Sequence, residues 1–154
     1  MRRALVLPLV VVLAGCGGST GSGAKTTYLV KAEAICAKAI KDRDAVAAPT
    51  GAPDFQPYVH ALVDIASRTA SAVGALTPPK ADAAALQAKV IGPLQEQLRD
   101  GQAYSAKVDA ATASHNSLAL LTLAGNPPKT TRADLAFMRT YGFKACAKAA
   151  DTAG

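Results

Sequence analysis

The chain has 154 residues, half of them apolar, with 17 Lys and Arg against 11 Asp and Glu, a formal charge of +6 and three cysteines. That length supports one domain with a real core and does not comfortably support two. Lysines are scattered singly and aromatic residues make up only 5%, which argues against a nucleic-acid partner, because such surfaces need clustered positive charge and stacking groups.

At the N-terminus, Arg2 and Arg3 precede an uncharged run from Ala4 to Ala14, shorter than the ~20 apolar residues that a membrane-spanning helix needs. A positive flank, a short apolar stretch and small residues before a cleavage point are the pattern of a secretory signal peptide. Leu13-Ala14-Gly15-Cys16 resembles, in all four positions, the lipobox of bacterial lipoproteins. The resemblance implies diacylglycerol on the Cys16 thiol, cleavage before Cys16 and acylation of the freed amine. Residues 1–15 are then a removed signal peptide, and the protein is anchored by lipid at the cell membrane, facing the extracytoplasmic side. Several acyl chains on one residue hold stably, since each buried methylene contributes ~0.8 kcal/mol and one chain alone binds only marginally.

Without Arg2 and Arg3, 15 basic residues face 11 acidic ones, a formal charge of +4. Attraction to anionic headgroups or acidic wall polymers fits that balance and location, but an ordinary solvated surface is the first explanation of so mild a charge. Residues 16–25 are Gly- and Ser-rich after the cysteine, with no large apolar side chain to bury, and read as a flexible tether. The folded domain is expected over residues 26–154.

Thr26 or Thr27 is a plausible cap for a first helix. Leu29, Ala32, Ile35, Cys36, Ala39 and Ile40 recur at helical spacing, with Lys31, Lys38, Lys41 and Asp42 largely on the other side. Pro49, Gly51 and Pro53 end it. Asp54 is a good cap for a second helix carrying Tyr58, Val59, Leu62, Ala66, Ala70, Val73 and Leu76. After Pro78 and Pro79, a third stretch runs from about Ala81 to Ala113 with a kink expected at Pro93, where a backbone donor is lost. Ser114 to Ala124 is too apolar for a free loop and is expected to extend or bend that helix. The last helix is expected to start at Thr131, with Asp134 completing a box-like cap, and to carry Leu135, Met138, Gly142, Ala145, Cys146 and Ala149 on one side.

Together these elements predict an all-α fold, an antiparallel four-helix bundle. Lipidation of Cys16 leaves Cys36 and Cys146 as an even pair. An up-down-up-down bundle brings the start of its first helix and the end of its fourth to one end, and an oxidising compartment favours pairing them. A disulfide between Cys36 and Cys146 is therefore expected to close the bundle.

Catalytic patterns are missing. The only glutamates, Glu33 and Glu96, lack the Glu-x-x-His partner of a di-iron bundle, and no Cys-x-x-Cys-His haem motif occurs. No metal or cofactor site is expected from His60 and His115 alone, and His60 with Asp64 reads as a solvated i, i+4 pair. A Gly-x-Ser-x-Gly elbow and a phosphate-cradling glycine loop are also absent, so the chain does not read as an enzyme. Tyr141-Gly142-Phe143 with Cys146, together with Ile35-Cys36, resembles a loosely defined group of small helical lipoproteins of high-GC bacteria with no assigned activity.

Two functions fit. One is a membrane-tethered interaction module presenting a helical face to another envelope protein or a wall polymer, with Tyr104, Phe137 or Tyr141 as the kind of anchor to expect. The other is a carrier of a small apolar ligand or lipid, with a cavity near Pro93 lined by Leu118, Leu120, Leu121 and Leu123. Those leucines read first as ordinary core, and of the two functions the interaction module is preferred.

Overall fold

In the computed structural model, which describes residues 20–128 and 133–151, every regular element is helical. Helix α1 spans Thr20–Asp44, so the segment expected as tether is helical from Thr20 onward. Packing explains the difference. Tyr28 is buried against the rest of the fold, and once one turn is held, each further residue adds a hydrogen bond without a new nucleation cost. Residues 1–19, including the signal peptide and Cys16, lie outside the described residues. Among the described residues, no helix is long and apolar enough to cross a membrane.

Helix α2 covers Ala52–Gly74, beginning two residues before the expected cap. Asp54 instead accepts hydrogen bonds from the Thr50 amide and hydroxyl at 3.2 and 2.6 Å, closing the loop onto the first turn. The third stretch is a short helix α3, Ala83–Leu86, a π turn at Gln87–Ile91 and helix α4, Gly92–Ala113. The kink expected at Pro93 is thus absorbed as a π turn. In an unbroken α-helix the Pro93 ring would press on the carbonyl four residues back, and the wider turn ahead of it relieves that clash. Gly92 is required there: a Cβ would lie 2.9 Å from the Gln87 carbonyl oxygen.

Two further breaks depart from expectation. Helix α5, Ser117–Gly125, is separate from α4, not an extension of it. The last helix is divided into α6, Leu135–Tyr141, and α7, Ala145–Asp151. Gly142 ends α6 with φ +115°, where the amides of Gly142 and Phe143 both donate to the Met138 carbonyl. This is the left-handed helix ending that glycine favours. Asp134 is itself the cap of α6, accepting from the Phe137 amide at 2.8 Å, and Thr131 lies outside the described residues.

Helices α2 and α4 run antiparallel, because Gln56 and His60 meet Asp109 while Gly101 lies beside Val63. Helix α1 packs only on the second half of α2, with Arg68 3.9 Å from Asp42 near the end of α1. This stagger divides the core in two. One cluster joins Tyr28, Ala32 and Cys36 to Leu86, Val90, Met138, Tyr141, Phe143 and Cys146. The other, beyond the end of α1, joins Phe55 and Val59 to Val108, Ala111 and Leu120.

Cys36 and Cys146 form the expected disulfide, with Cα atoms 4.9 Å apart. The route differs from the one expected. Cys36 lies well inside α1 and Cys146 in the first turn of α7, so the bond does not tie two helix ends. Lys25 meets Tyr141, Tyr28 meets Phe143 and Glu33 meets Ala145 and Cys146. The chain from Tyr141 to Cys146 therefore follows α1 in the same direction.

Because this disulfide closes a separation of 110 residues, the double substitution Cys36→Ser with Cys146→Ser is expected to cost about 4–5 kcal/mol in the chain-entropy account. That corresponds to a fall of roughly 10–20 °C in Tm, read by circular dichroism. Gly142→Ala is expected to cost about 1–3 kcal/mol, through its left-handed backbone and a Leu29 methyl 3.2 Å from the new Cβ. Gly74→Ala meets nothing within 4 Å and should leave the urea midpoint unchanged or raised.

Candidate interaction surface

The apolar segment 117–125 becomes a helix of its own because both of its ends are locally specified. His115 adopts a left-handed conformation at φ 52°. That turn lets the Asn116 amide reach back to the Ala111 carbonyl at 2.9 Å and close α4. Asn116 then caps α5, its side-chain oxygen accepting from the Ala119 amide at 3.0 Å. Tyr104 of α4 donates its hydroxyl to the Leu123 carbonyl at 2.6 Å and holds the last turn of α5 down.

With both ends held, the four leucines divide. Leu120 enters the second core cluster and Leu123 packs against its edge. Leu118 and Leu121, three residues apart and therefore neighbours on one face, are 75% and 68% exposed. They form an apolar pair on the outside of a helix anchored to the fold. Helix α5 carries no charged residue, so nothing on it keeps a partner away electrostatically.

Leu118 and Leu121 thus face solvent and Leu120 fills core, not a cavity near Pro93. Leu123 borders an open cleft of about 230 Å³ between α4 and α5, shared with Tyr104, Lys107, Asp100 and Pro128. The aromatic anchors expected on the surface are also used internally. Tyr141 is buried, stacked on Phe143 with centroids 5.2 Å apart, and donates its hydroxyl to Asp82 at 2.7 Å. Burial first, and then the Asp82 carboxylate, push the Tyr141 phenol above the ordinary tyrosine range. Phe137 stacks on Tyr141 and is covered by the Lys89 ammonium, 5.0 Å from its centroid. Tyr104 is half-buried by its bond to α5.

The pairing expected between His60 and Asp64 is replaced by partners on other turns. Asp64 pairs with Arg68. His60 Nε2 lies 2.6 Å from the Asp109 Oδ1, which also accepts from Gln56 Nε2 at 2.7 Å. This polar clasp between α2 and α4 lies beside the second core cluster and fixes the base on which α5 is mounted. Among the described residues, no three His, Cys, Asp or Glu side chains converge in a group that could hold a metal ion.

At 1.5 Å rise per residue, the register set by Asp42 and Arg68 puts the second cluster on the order of 50 Å from Thr20 along the helix axes. The exposed leucines therefore stand at the end of the fold remote from the start of α1.

Hydrogen bonds from Gln56, then from His60, hold the Asp109 carboxyl below the usual carboxylate range. A folded-state pKa below the unfolded one contributes stability above the unfolded value of ~3.9, and that stability is lost as pH falls through the folded value. Asp109→Asn is therefore expected to weaken the acid dependence of the urea midpoint between neutral pH and pH ~3. No protein-family model, curated protein or solved structure matches the chain.

Proposed function

We propose that this protein is a lipid-anchored, non-catalytic interaction module of the cell envelope, held through Cys16 on the extracytoplasmic side of the membrane. In this reading, α5 is its contact element. The observation that carries it is the pair Leu118 and Leu121, exposed on a helix that is capped, pinned and backed by its own core cluster. A pre-ordered helix loses little freedom on binding, which favours a groove-bearing partner over induced folding.

Two further points support the location. The Cys36–Cys146 disulfide is of the kind that persists in oxidising compartments, and the apolar run with its Leu-Ala-Gly-Cys ending stands directly before α1. We read the body as a bundle in which α2 and α4 run antiparallel and the short helices α6 and α7 fill the place of a fourth helix, although α7 follows α1 in the same direction and not antiparallel to it. With the membrane at the α1 end, α5 stands away from the lipid, and an envelope protein suits an uncharged leucine pair better than an acidic wall polymer does. The carrier reading is less well supported, since Leu118 and Leu121 face solvent and Leu120 is consumed in the core.

A photoreactive residue at Ser117 is expected to crosslink a discrete envelope protein in cells. The double variant Leu118→Ser with Leu121→Ser should abolish that product while Tm changes by only about a degree or two, as exposed positions allow. Val30→Ser, another exposed apolar site at 65%, should leave it intact. An unchanged product in the leucine variant would remove α5 from the interface. Cys16→Ser should lose the acyl mass and shift the protein out of the membrane fraction.

A further inference from the structure

Helix α5 retraces α4. The Asn116 amide reaches the Ala111 carbonyl just before α5 begins, and the Leu123 carbonyl receives the Tyr104 hydroxyl near its end, so α5 runs antiparallel to α4 along the length of the body. Its outward residues form a seam. At ~100° per residue, Leu118, Leu121 and Gly125 fall within about 60° of one another round the helix, and all three are exposed. Their spacing of three and then four residues is that of the a, d and a positions of one heptad. At Gly125 an added Cβ would meet nothing within 4 Å, so the seam ends in a notch that admits a second backbone.

Charge and area narrow what fits this seam. In a contact between two copies related by a two-fold axis, residues near the axis meet their own counterparts, and a charged one would face its like at a cost. Helix α5 reads Ser-Leu-Ala-Leu-Leu-Thr-Leu-Ala-Gly and has no charge to oppose itself. Asp100 and Lys107 border the cleft on the Leu123 side, and Leu123 lies about 140–160° round the helix from Leu118 and Leu121. Two leucines a side bury on the order of 500 Å² in all, well below the ~1,200 Å² at which stable interfaces begin. Such a pair comes apart in dilute solution. Two copies anchored in one leaflet share an orientation and a confined space, which raises their effective concentration as a linker between two modules does.

We propose that α5 is a self-association element: two copies of this chain in one membrane pair through parallel α5 helices, with Leu118, Leu121 and Gly125 each against its counterpart in the second copy. The inference rests on the reading of α5 as the contact element of a lipid-anchored protein and names its partner. A two-fold axis along the membrane normal makes the helices parallel, because α5 lies lengthwise in a body standing on its anchor. Both helices are already formed and held, so pairing orders little beyond the four leucine side chains. The discrete product expected from a photoreactive residue at Ser117 is then a dimer of this chain.

The test uses the full lipidated chain in phosphatidylcholine vesicles. Gly125→Cys is the probe, with Thr122→Cys as a second position on the same face, each checked for fold by circular dichroism. A short bis-maleimide is expected to convert either variant to a dimer on a denaturing gel, in several-fold higher yield than Gly74→Cys, an equally unobstructed position on α2. Adding Leu118→Ser with Leu121→Ser to Gly125→Cys should bring the yield down to that of Gly74→Cys. Yields at both probes no higher than at Gly74→Cys would overturn the proposal, as would yields that the leucine substitutions leave unchanged. Linkage of Gly125→Cys in one copy to Ser117→Cys in another, with no self-pair at Gly125→Cys, would reveal antiparallel helices and overturn the shared-membrane arrangement. The underlying reading fails separately. A Ser117 photoproduct that contains a different envelope protein, with no Gly125→Cys dimer, keeps α5 as a contact element and refutes self-association. Absence of acyl mass on Cys16 removes the anchor; Gly125→Cys dimers from concentrated solution then still support the α5 pair, and their absence refutes it.

Discussion

A seven-residue helix has too few hydrogen bonds to persist alone in water, and α7 persists because α1 grips it in three ways. The Cys36–Cys146 disulfide joins the two covalently. The Glu33 carboxylate accepts from the Ala145 and Cys146 amides at 2.7 and 3.1 Å, satisfying donors at the start of α7 that have no partner within it. Ala147 then packs into the core formed with Tyr28, Ala32 and Cys36. Because charge, covalent bond and apolar contact act on adjacent residues, losing one leaves the others strained against the entropy of a short segment. The first core cluster and the stacked rings of Tyr141 and Phe143 both depend on this grip.

The second organising feature is the stagger between α1 and α2. Helices in full register would share one continuous core, but α1 covers only the later half of α2, and the earlier half must bury Phe55 and Val59 elsewhere. Helix α5 supplies the cover through Leu120. A nine-residue helix is too small to enclose all of its leucines while closing only one side of that cluster, so Leu118 and Leu121 stay outside. The exposed pair is thus a product of the architecture.

Much of this was legible from residue types and spacing. The periodicity of Tyr58, Val59, Ala70 and Val73 marks α2, and Val59, Ala70 and Val73 are indeed buried. The parity of the cysteines pointed to the bond between Cys36 and Cys146. What misled was the assumption that an apolar, alanine-rich run continues as helix. Asn116 was a readable cap once a break is allowed, yet His115 in a left-handed turn is not a choice that composition announces, since glycine is the usual occupant. Gly142 stands at a helix-compatible position of an apolar stripe, and only its contact with Leu29 and the burial of Phe143 turn it into a terminator. His60 had Asp64 one turn away, but the neighbouring helix brought Asp109 closer.

Local rules therefore decide which segments become helix here, because capping residues, prolines and 3.6-residue spacing act over a few residues and can be read directly. The direction and offset of each helix against the next are not local quantities. The offset of α1 on α2, the same-direction path of Tyr141 to Cys146 along α1, and the division of the four leucines into one buried, one half-buried and two exposed arise from which surfaces meet. Each contact joins residues tens of positions apart, such as Glu33 with Cys146 or Gln56 with Asp109. Their energy depends on mutual geometry that no short window of residues contains.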